Sequence, residues 1–315
     1  MRRADRPAHA DIVTRGITVT VLDGPETTQC PDAAERPLFL LVGQMFAILG
    51  AVLLCFVAQL ALIGAVKHER DQDRAFTDFR YQLANATAPV AALTEDGRLL
   101  ETGTPVAILE IPRLRLREVV GEGTSSRSLK SGPGHLRNTP LPGQAGTSVV
   151  LGRKAAYGGP FSRISELRTG DAIVVTTGQG EHRYLVQGVR RAGDPERPAP
   201  GSGAGRLTLI TADGPHFLPT DVLRVDARLT SEVVATSGAV PAFAVPENER
   251  LMIGDSSALV PVVIWALILA VAAVAVVYVR QRVGRWHAWV IGVPLLGTVG
   301  VTLADQAAAL LPNLL

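Results

Sequence analysis

Apolar positions change their rhythm several times along the chain. Residues 38–66 are apolar without a formal charge, longer than the roughly 20 residues a hydrocarbon core requires. Polar sequence follows over 67–87, where Phe76, Phe79 and Leu83 recur at spacings of three and four, the stripe of an amphipathic helix. From 106 to 230 the rhythm shortens to runs such as AILEI, EVVG, TSVVLG, AIVVTT, HRYLVQGV, RLTLIT and VLRVDARL, separated by Gly/Pro turns. Short β-type runs at close spacing predict a closed β-barrel or sandwich rather than alternating βα units. Within them, 159–171 places Phe161, Ile164 and Leu167 on one face and predicts a short helix. Two further apolar runs close the chain, 257–279 and 288–311, the second interrupted by glycines, Pro294 and Asp305. The expected fold is mainly β, a closed barrel of seven to eight strands, with three transmembrane α-helices.

These rhythms divide the chain. Residues 1–37 read as a disordered tail; their alternating stretch 12–22 has no partner strand in view. The first membrane helix covers 38–66, a juxtamembrane helix and linker 67–105, the barrel 106–230 and a connector 231–256. The remaining helices, 257–279 and 288–311, are joined by the basic loop 280–287. The run 38–66 exceeds the 7–15 apolar residues of a cleaved signal and follows a long polar extension, so it reads as a retained anchor.

Charge orients these segments. Only 19% of residues are charged, fitting a chain partly solvated by lipid. Arg280, Arg282 and Arg285 occupy the short loop, and Arg2, Arg3, Arg6, Arg15 and Arg36 the tail. Short basic segments stay cytoplasmic, which predicts a multi-pass protein of the cell membrane with a cytoplasmic N-terminus and an extracellular 67–256 region. A net charge of +2, with basic residues at membrane flanks, gives no nucleic-acid surface. Both cysteines, Cys30 and Cys55, precede the external region, which therefore contains neither thiol nor disulfide. No pattern calls for a metal or cofactor.

The order of motifs between 108 and 177 resembles the sortase family, with a likeness to actinobacterial class E/F-like members. ILEIPRLRL carries an Ile-Pro pair; then come Gly123-Thr124, Leu129, Gly132-Pro133-Gly134-His135, Thr139-x-x-Pro142-Gly143 and a strand ending at Gly152. Tyr157-Gly-Gly-Pro-Phe161, Leu167 and Gly170-Asp171 continue it. The resemblance implies a sortase-like barrel, a Gram-positive host, and an enzyme whose Cys attacks a Thr–Gly bond in a sorting signal while a His moves protons and an Arg holds the oxyanion or substrate.

The three positions implied by the resemblance have departed. The strand that in the family ends Leu-x-Thr-Cys here reads Leu209-Ile210-Thr211-Ala212; the His position is Arg153, and the Arg position is Val222. A methyl group cannot attack a carbonyl, and Arg153 stays protonated and cannot act as a base. Arg224 shares a strand face with Val222, a placement from which it could partly serve as the missing cation. A Thr211–His216 arrangement would be an alternative hydroxyl-based transpeptidase or hydrolase, but Thr211 points to the opposite face from Ala212; His135 reads as a turn residue. The expectation is a pseudoenzyme that binds a cell-surface peptide or partner as scaffold or regulator, with Arg153, Lys154, Thr211, Asp213, His216 and Arg224 as candidate ligand contacts. Candidate ligands are a sorting-signal-like peptide, a cell-wall group or an anionic lipid group. The segment 257–311, with small residues Ala270, Ala272, Ala273, Ala275, Gly292, Gly297 and Gly300, offers a face for another membrane protein. Asp305 reads as an interfacial residue at the external end of its span.

Overall fold

The computed structural model describes residues 46, 50, 53, 54 and 56–315, apart from 95, 216–218, 237–239 and 283. The stretch 12–22 and, within 38–66, residues 38–45, 47–49, 51, 52 and 55 lie outside the described residues. The chain divides into a unit 1–48 and a unit 49–315; the second is described below.

Eight strands close a barrel: β1 (Pro105–Ile111), β2 (Leu116–Glu122), β3 (Gly134–His135), β4 (Gly146–Leu151), β5 (Ala172–Thr177), β6 (Gly180–Arg190), β7 (Gly205–Asp213) and β8 (Asp221–Leu229). Their order around the barrel is β1-β2-β3-β4-β7-β8-β6-β5. Pairs β2–β3 and β4–β7 are parallel and the others antiparallel. Closure leaves no unpaired sheet edge. Seven strands correspond to the apolar runs; β3 has two residues, too short for a hydrophobic period to register.

Period-two alternation sends one side of each strand inward. Leu109, Ile111, Val150, Ile173, Val175, Leu207, Leu209, Leu223, Val225 and Ala227 meet inside the barrel. Phe161, Ile164 and Leu167 enter the same core, but the helix expected over 159–171 reduces to one 3-10 turn, Ile164–Glu166. Pro160 has no N–H, and the Phe161 N–H donates to the Arg153 carbonyl across the chain, so the segment is tied to the barrel wall before an α-helix can propagate.

Helix α1 (Gly64–Ala84) packs on the barrel. Phe79, fully buried, meets Ala88, Ile108 and Val119, while Phe76 and Leu83 flank it. Gln72 clamps β2: it accepts from Val119 N–H at 2.6 Å and donates to the Ser131 carbonyl at 2.8 Å. Helices α2 (Leu259–Arg282) and α3 (Arg285–Ala308) pack together. Among the described residues, two segments are long and apolar enough to cross a membrane, Ser256–Arg280 and Trp286–Ala308. The expected total of three rests on a first span whose N-terminal part, 38–45, lies outside the described residues. Of the three glycines, Gly292 makes the closest approach, since a Cβ there would stand 2.7 Å from Val276 Cγ1; Gly297 and Gly300 face open space.

Candidate functional site

The outer face of β4, β7 and β8 carries a second apolar cluster. Ile210 and Ala212 of β7, Leu151 of β4 and Val222 of β8 pack there with Leu129 and Leu314, flanked by Leu136, Val149, Leu251 and Met252. The ladder pairs Ala212 directly with Val222, and Gly152 N–H donates to the Ile210 carbonyl, which brings Arg153 alongside. The three positions singled out in the sequence are therefore neighbours. No thiol, hydroxyl or imidazole occupies any of them.

Rather than standing at an open mouth, Arg153 is fully buried. Its guanidinium is held by main-chain and hydroxyl oxygens: Nε donates to the Leu129 carbonyl at 3.2 Å, Nη2 to the Ser126 carbonyl at 2.6 Å and to Ser126 Oγ at 2.9 Å, and Nη1 to the Leu315 main-chain oxygen at 3.4 Å. The guanidinium lies 5.1 Å from the centre of the Tyr157 ring. Burial pushes its pKa down to about 10, which still leaves it charged at neutral pH. Lys154 turns the other way, its Nζ donating to the Gly214 carbonyl.

A polar knot adjoins this cluster. Asp305, near the end of α3, pairs with Lys130 Nζ at 3.1 Å, accepts from Tyr157 Oη at 3.0 Å and from Gln59 Nε2 at 3.2 Å. The barrel, the residues before α1 and α3 thus meet on one carboxylate. Burial lowers the Lys130 pKa against the opposing pull of Asp305, and raises that of Tyr157. Position 305 is an interhelix and helix-to-barrel tie, a role its sequence neighbours do not announce.

Beyond α3 the chain turns back into the outer cluster. Leu314 is fully buried there and Asn313 beside it. Both walls bond to this segment: Lys154 N–H donates to the Leu314 carbonyl at 3.0 Å, Ala156 N–H to the Leu315 carbonyl at 3.4 Å, and Asp255 N–H to the Ala309 carbonyl at 2.8 Å. Asn313 N–H donates to the Ile253 carbonyl at 3.2 Å, and its Nδ2 donates to the carbonyls of Thr124 and Arg250, each at 2.9 Å. Gly254 permits the passage, because a Cβ there would fall 2.1 Å from the Leu310 carbonyl oxygen. Sequence reasoning missed this segment entirely, as its apolar residues read as the tail of a membrane span.

The other candidates disperse. Thr211 Oγ1 is buried and donates to the Gly152 carbonyl at 2.8 Å. Asp213 pairs with Arg191 at 3.2 Å. Arg224 is half-buried, with no carboxylate pairing to it among the described residues, and His216 lies outside them. His135 is a buried strand residue, not a turn residue: Nδ1 meets Glu122 Oε2 at 2.9 Å and Nε2 lies 3.1 Å from the Pro140 carbonyl. Elsewhere on the outer face, the buried Asp226 carboxylate accepts from Arg190 and from Thr208 Oγ1. Burial works against that charge, but the Arg190 and Thr208 hydrogen bonds hold its pKa below the ordinary value. No cluster of three or more His, Cys, Asp or Glu able to hold a metal occurs among the described residues.

A family model for the sortase domain matches residues 109–227, spanning the barrel from β1 into β8. The barrel is a sortase domain. Sortase SrtE1 of Streptomyces coelicolor is 26% identical over 192 residues, 56% of this chain and 53% of the relative. Sortase D of Bacillus subtilis is 33% identical over 86 residues, 27% of this chain and 42% of the relative. The chain thus spans about half the length of these relatives or less. A solved sortase E from Streptomyces avermitilis shares 30% identity over 48% of this chain and all of that chain, with a TM-score of 0.36. The resemblance to class E members expected from the motifs is present, and the sortase domain is flanked on both sides by chain that the family model does not match.

Proposed function

We propose that this is a membrane-anchored sortase-fold protein that binds an extended peptide on the outer face of β7 and β8 and does not cleave it. The observation that carries the reading is the side-chain set at one point of the barrel: the methyl of Ala212, registered with Val222 and beside an Arg153 whose N–H groups are engaged by carbonyl and hydroxyl oxygens. Transpeptidation needs a nucleophile and a group that exchanges protons near neutral pH. None of these three side chains supplies either. What remains is an apolar face, packed by Leu314, whose main-chain donors at Lys154 and Ala156 bond the extended segment 314–315, an arrangement that suits an uncharged extended chain.

The ligand class is a sorting-signal-like peptide, as in the Clostridium perfringens sortase C solved with the C-terminal cell wall sorting motif. The barrel lies outside the cell, with the basic loop 280–287 inside, and the α2–α3 hairpin is available to a second membrane protein. The alternative, a hydroxyl-based transpeptidase, would use Thr211; its hydroxyl is committed to the Gly152 carbonyl, and no described histidine hydrogen-bonds to it.

The test is the full chain in detergent with Leu-Pro-x-Thr-Gly and Leu-Ala-x-Thr-Gly peptides, beside the variant A212C/R153H/V222R. Binding without cleavage by the native chain is expected. Turnover by the native chain, lost in Thr211→Ala, would establish the alternative instead.

A further inference from the structure

We infer that residues 309–315 are a releasable strap: in the resting protein they close the groove at Ala212, and on release the groove takes a separate peptide of the same chemistry, uncharged and of the Leu-Pro-Asn-Leu-Leu type. This rests on the peptide-binding reading above and adds to it the resting occupant and the regulation of the site.

The strap is held as a bound peptide is held. Its main chain receives hydrogen bonds from Lys154 N–H, Ala156 N–H and Asp255 N–H, and Ser126 Oγ donates to the Leu311 carbonyl at 3.4 Å. Such contacts are indifferent to side-chain identity and serve any extended chain of the right length. Two side chains add selectivity. Leu314 packs in one buried apolar cluster with Leu129, Leu151, Ile210, Ala212 and Val222. Asn313 uses both Nδ2 hydrogens on the carbonyls of Thr124 and Arg250. Leu315 N–H closes a turn on the Pro312 carbonyl at 3.1 Å, which presents the Leu315 carbonyl to Arg153 Nη1. The groove thus reads an apolar side chain, an amide and a carbonyl in sequence.

Other features mark the strap as an occupant rather than a fixed part of the core. The contacts at Arg153 Nη1, Ala156 N–H and Ser126 Oγ are each 3.4 Å, at the long end of hydrogen bonding. Asn313 Oδ1 is buried without a partner, a cost that leaving the groove removes. Leu310, Leu311 and Pro312 are only half-buried. On the wall, Arg153 is different: Leu129 and Ser126 hold it when the strap is gone, so the groove keeps its shape and exposes one guanidinium N–H to a new carbonyl. An occupied groove weakens an outside ligand in proportion to the fraction open; a strap released in about one molecule in a hundred weakens it about a hundredfold.

The experiment uses the full chain in detergent micelles, with Cys30 and Cys55 replaced by serine and Ala212→Cys as the sole thiol. Maleimide labelling of that thiol and binding of a fluorescent Leu-Pro-Asn-Leu-Leu peptide are followed together in the parent, in L314D and in the milder N313A/L314A. Slow labelling in the parent, more than about tenfold faster labelling in both strap variants, and peptide binding tightened by a similar factor are expected. Equal labelling in parent and variants overturns the strap, whatever the peptide does. Faster labelling with no peptide binding overturns the peptide-binding reading and leaves the strap as a cover alone. To keep the result independent of how the variants fold, A212C/L314C is oxidised without other strap changes; an intrachain cross-link with loss of peptide binding supports the strap, and a cross-link that leaves peptide binding unchanged overturns it.

Discussion

The two faces of β7 are both apolar, both buried and differently closed. Inward, Leu207 and Leu209 share a core with residues from most of the other strands and from the 161–167 turn, so most of their neighbours are fixed by the barrel ladder. Outward, Ile210 and Ala212 are covered by a turn at Leu129, by Leu251 and Met252, and by Leu314, pieces tied by a few hydrogen bonds each. One strand alternation therefore separates a core that cannot open without unfolding from a patch that can. Farther along the outer face, polarity takes over: Asp226, Thr208 and Arg190 form a closed hydrogen-bonded group. A site has room to exist where the covering is peptide rather than ladder.

The contrast breaks most readily at its strongest point. Leu209→Ala removes a fully buried inward side chain and should cost about 2–5 kcal/mol in global stability, read by thermal or denaturant unfolding of the detergent-solubilised chain. A loss near zero would mean that the barrel interior is not the rigid member of the pair. Asp226→Asn comes next, at about 1.5–3 kcal/mol, because it removes charge-assisted hydrogen bonds from a buried carboxylate. Its pH dependence fixes the cause. A folded pKa below the unfolded one contributes stability that is present above the ordinary value of 3.8 and lost as pH falls through the depressed pKa. The native chain should therefore lose this increment on acidification below 3.8, while the Asn variant lacks that step.

Leu314→Ala sharpens the comparison. Burying a leucine is worth about 1.5–3 kcal/mol, but the strap can detach, so the global loss is capped at its docking free energy and should fall below that of Leu209→Ala. A Leu314→Ala loss equal to that of Leu209→Ala would make the outer cluster a second core. Smallest is the effect in the hairpin. Gly292→Ala forces a methyl against Val276, whereas Gly297→Ala meets open space. The first should weaken helix–helix packing in micelles and the second leave it unchanged, as followed by resistance to proteolysis between the helices.

Much of the inward face was legible. Alternation in RLTLITAD and VLRVDARL marks which residues face the core, and the ladder then makes Ala212 and Val222 neighbours. The outward site was legible only as missing chemistry. Arg153 reads in sequence as a free surface charge because its partners are backbone oxygens at Ser126, Leu129 and Leu315, which carry no sequence signature. Helical spacing at Phe161, Ile164 and Leu167 marked burial correctly and geometry wrongly, since the cross-chain bond to Arg153 O overrides it. Leu311–Leu315 was invisible for a different reason: leucines next to a span are equally content in lipid or in a groove, and hydropathy does not distinguish the two solvents.

Gly254 gives this arrangement an evolutionary edge. Alanine there would drive a methyl into the Leu310 carbonyl, pushing the strap away from the 250–255 segment while leaving the strap's own sequence unchanged. Glycine and alanine codons differ by one nucleotide, so a lineage could pass from a self-occupied to a vacant groove in a single mutational step, and return as easily. Position 254 is then a toggle within this chain: the presence or absence of one methyl there decides whether the strap can lie where it does.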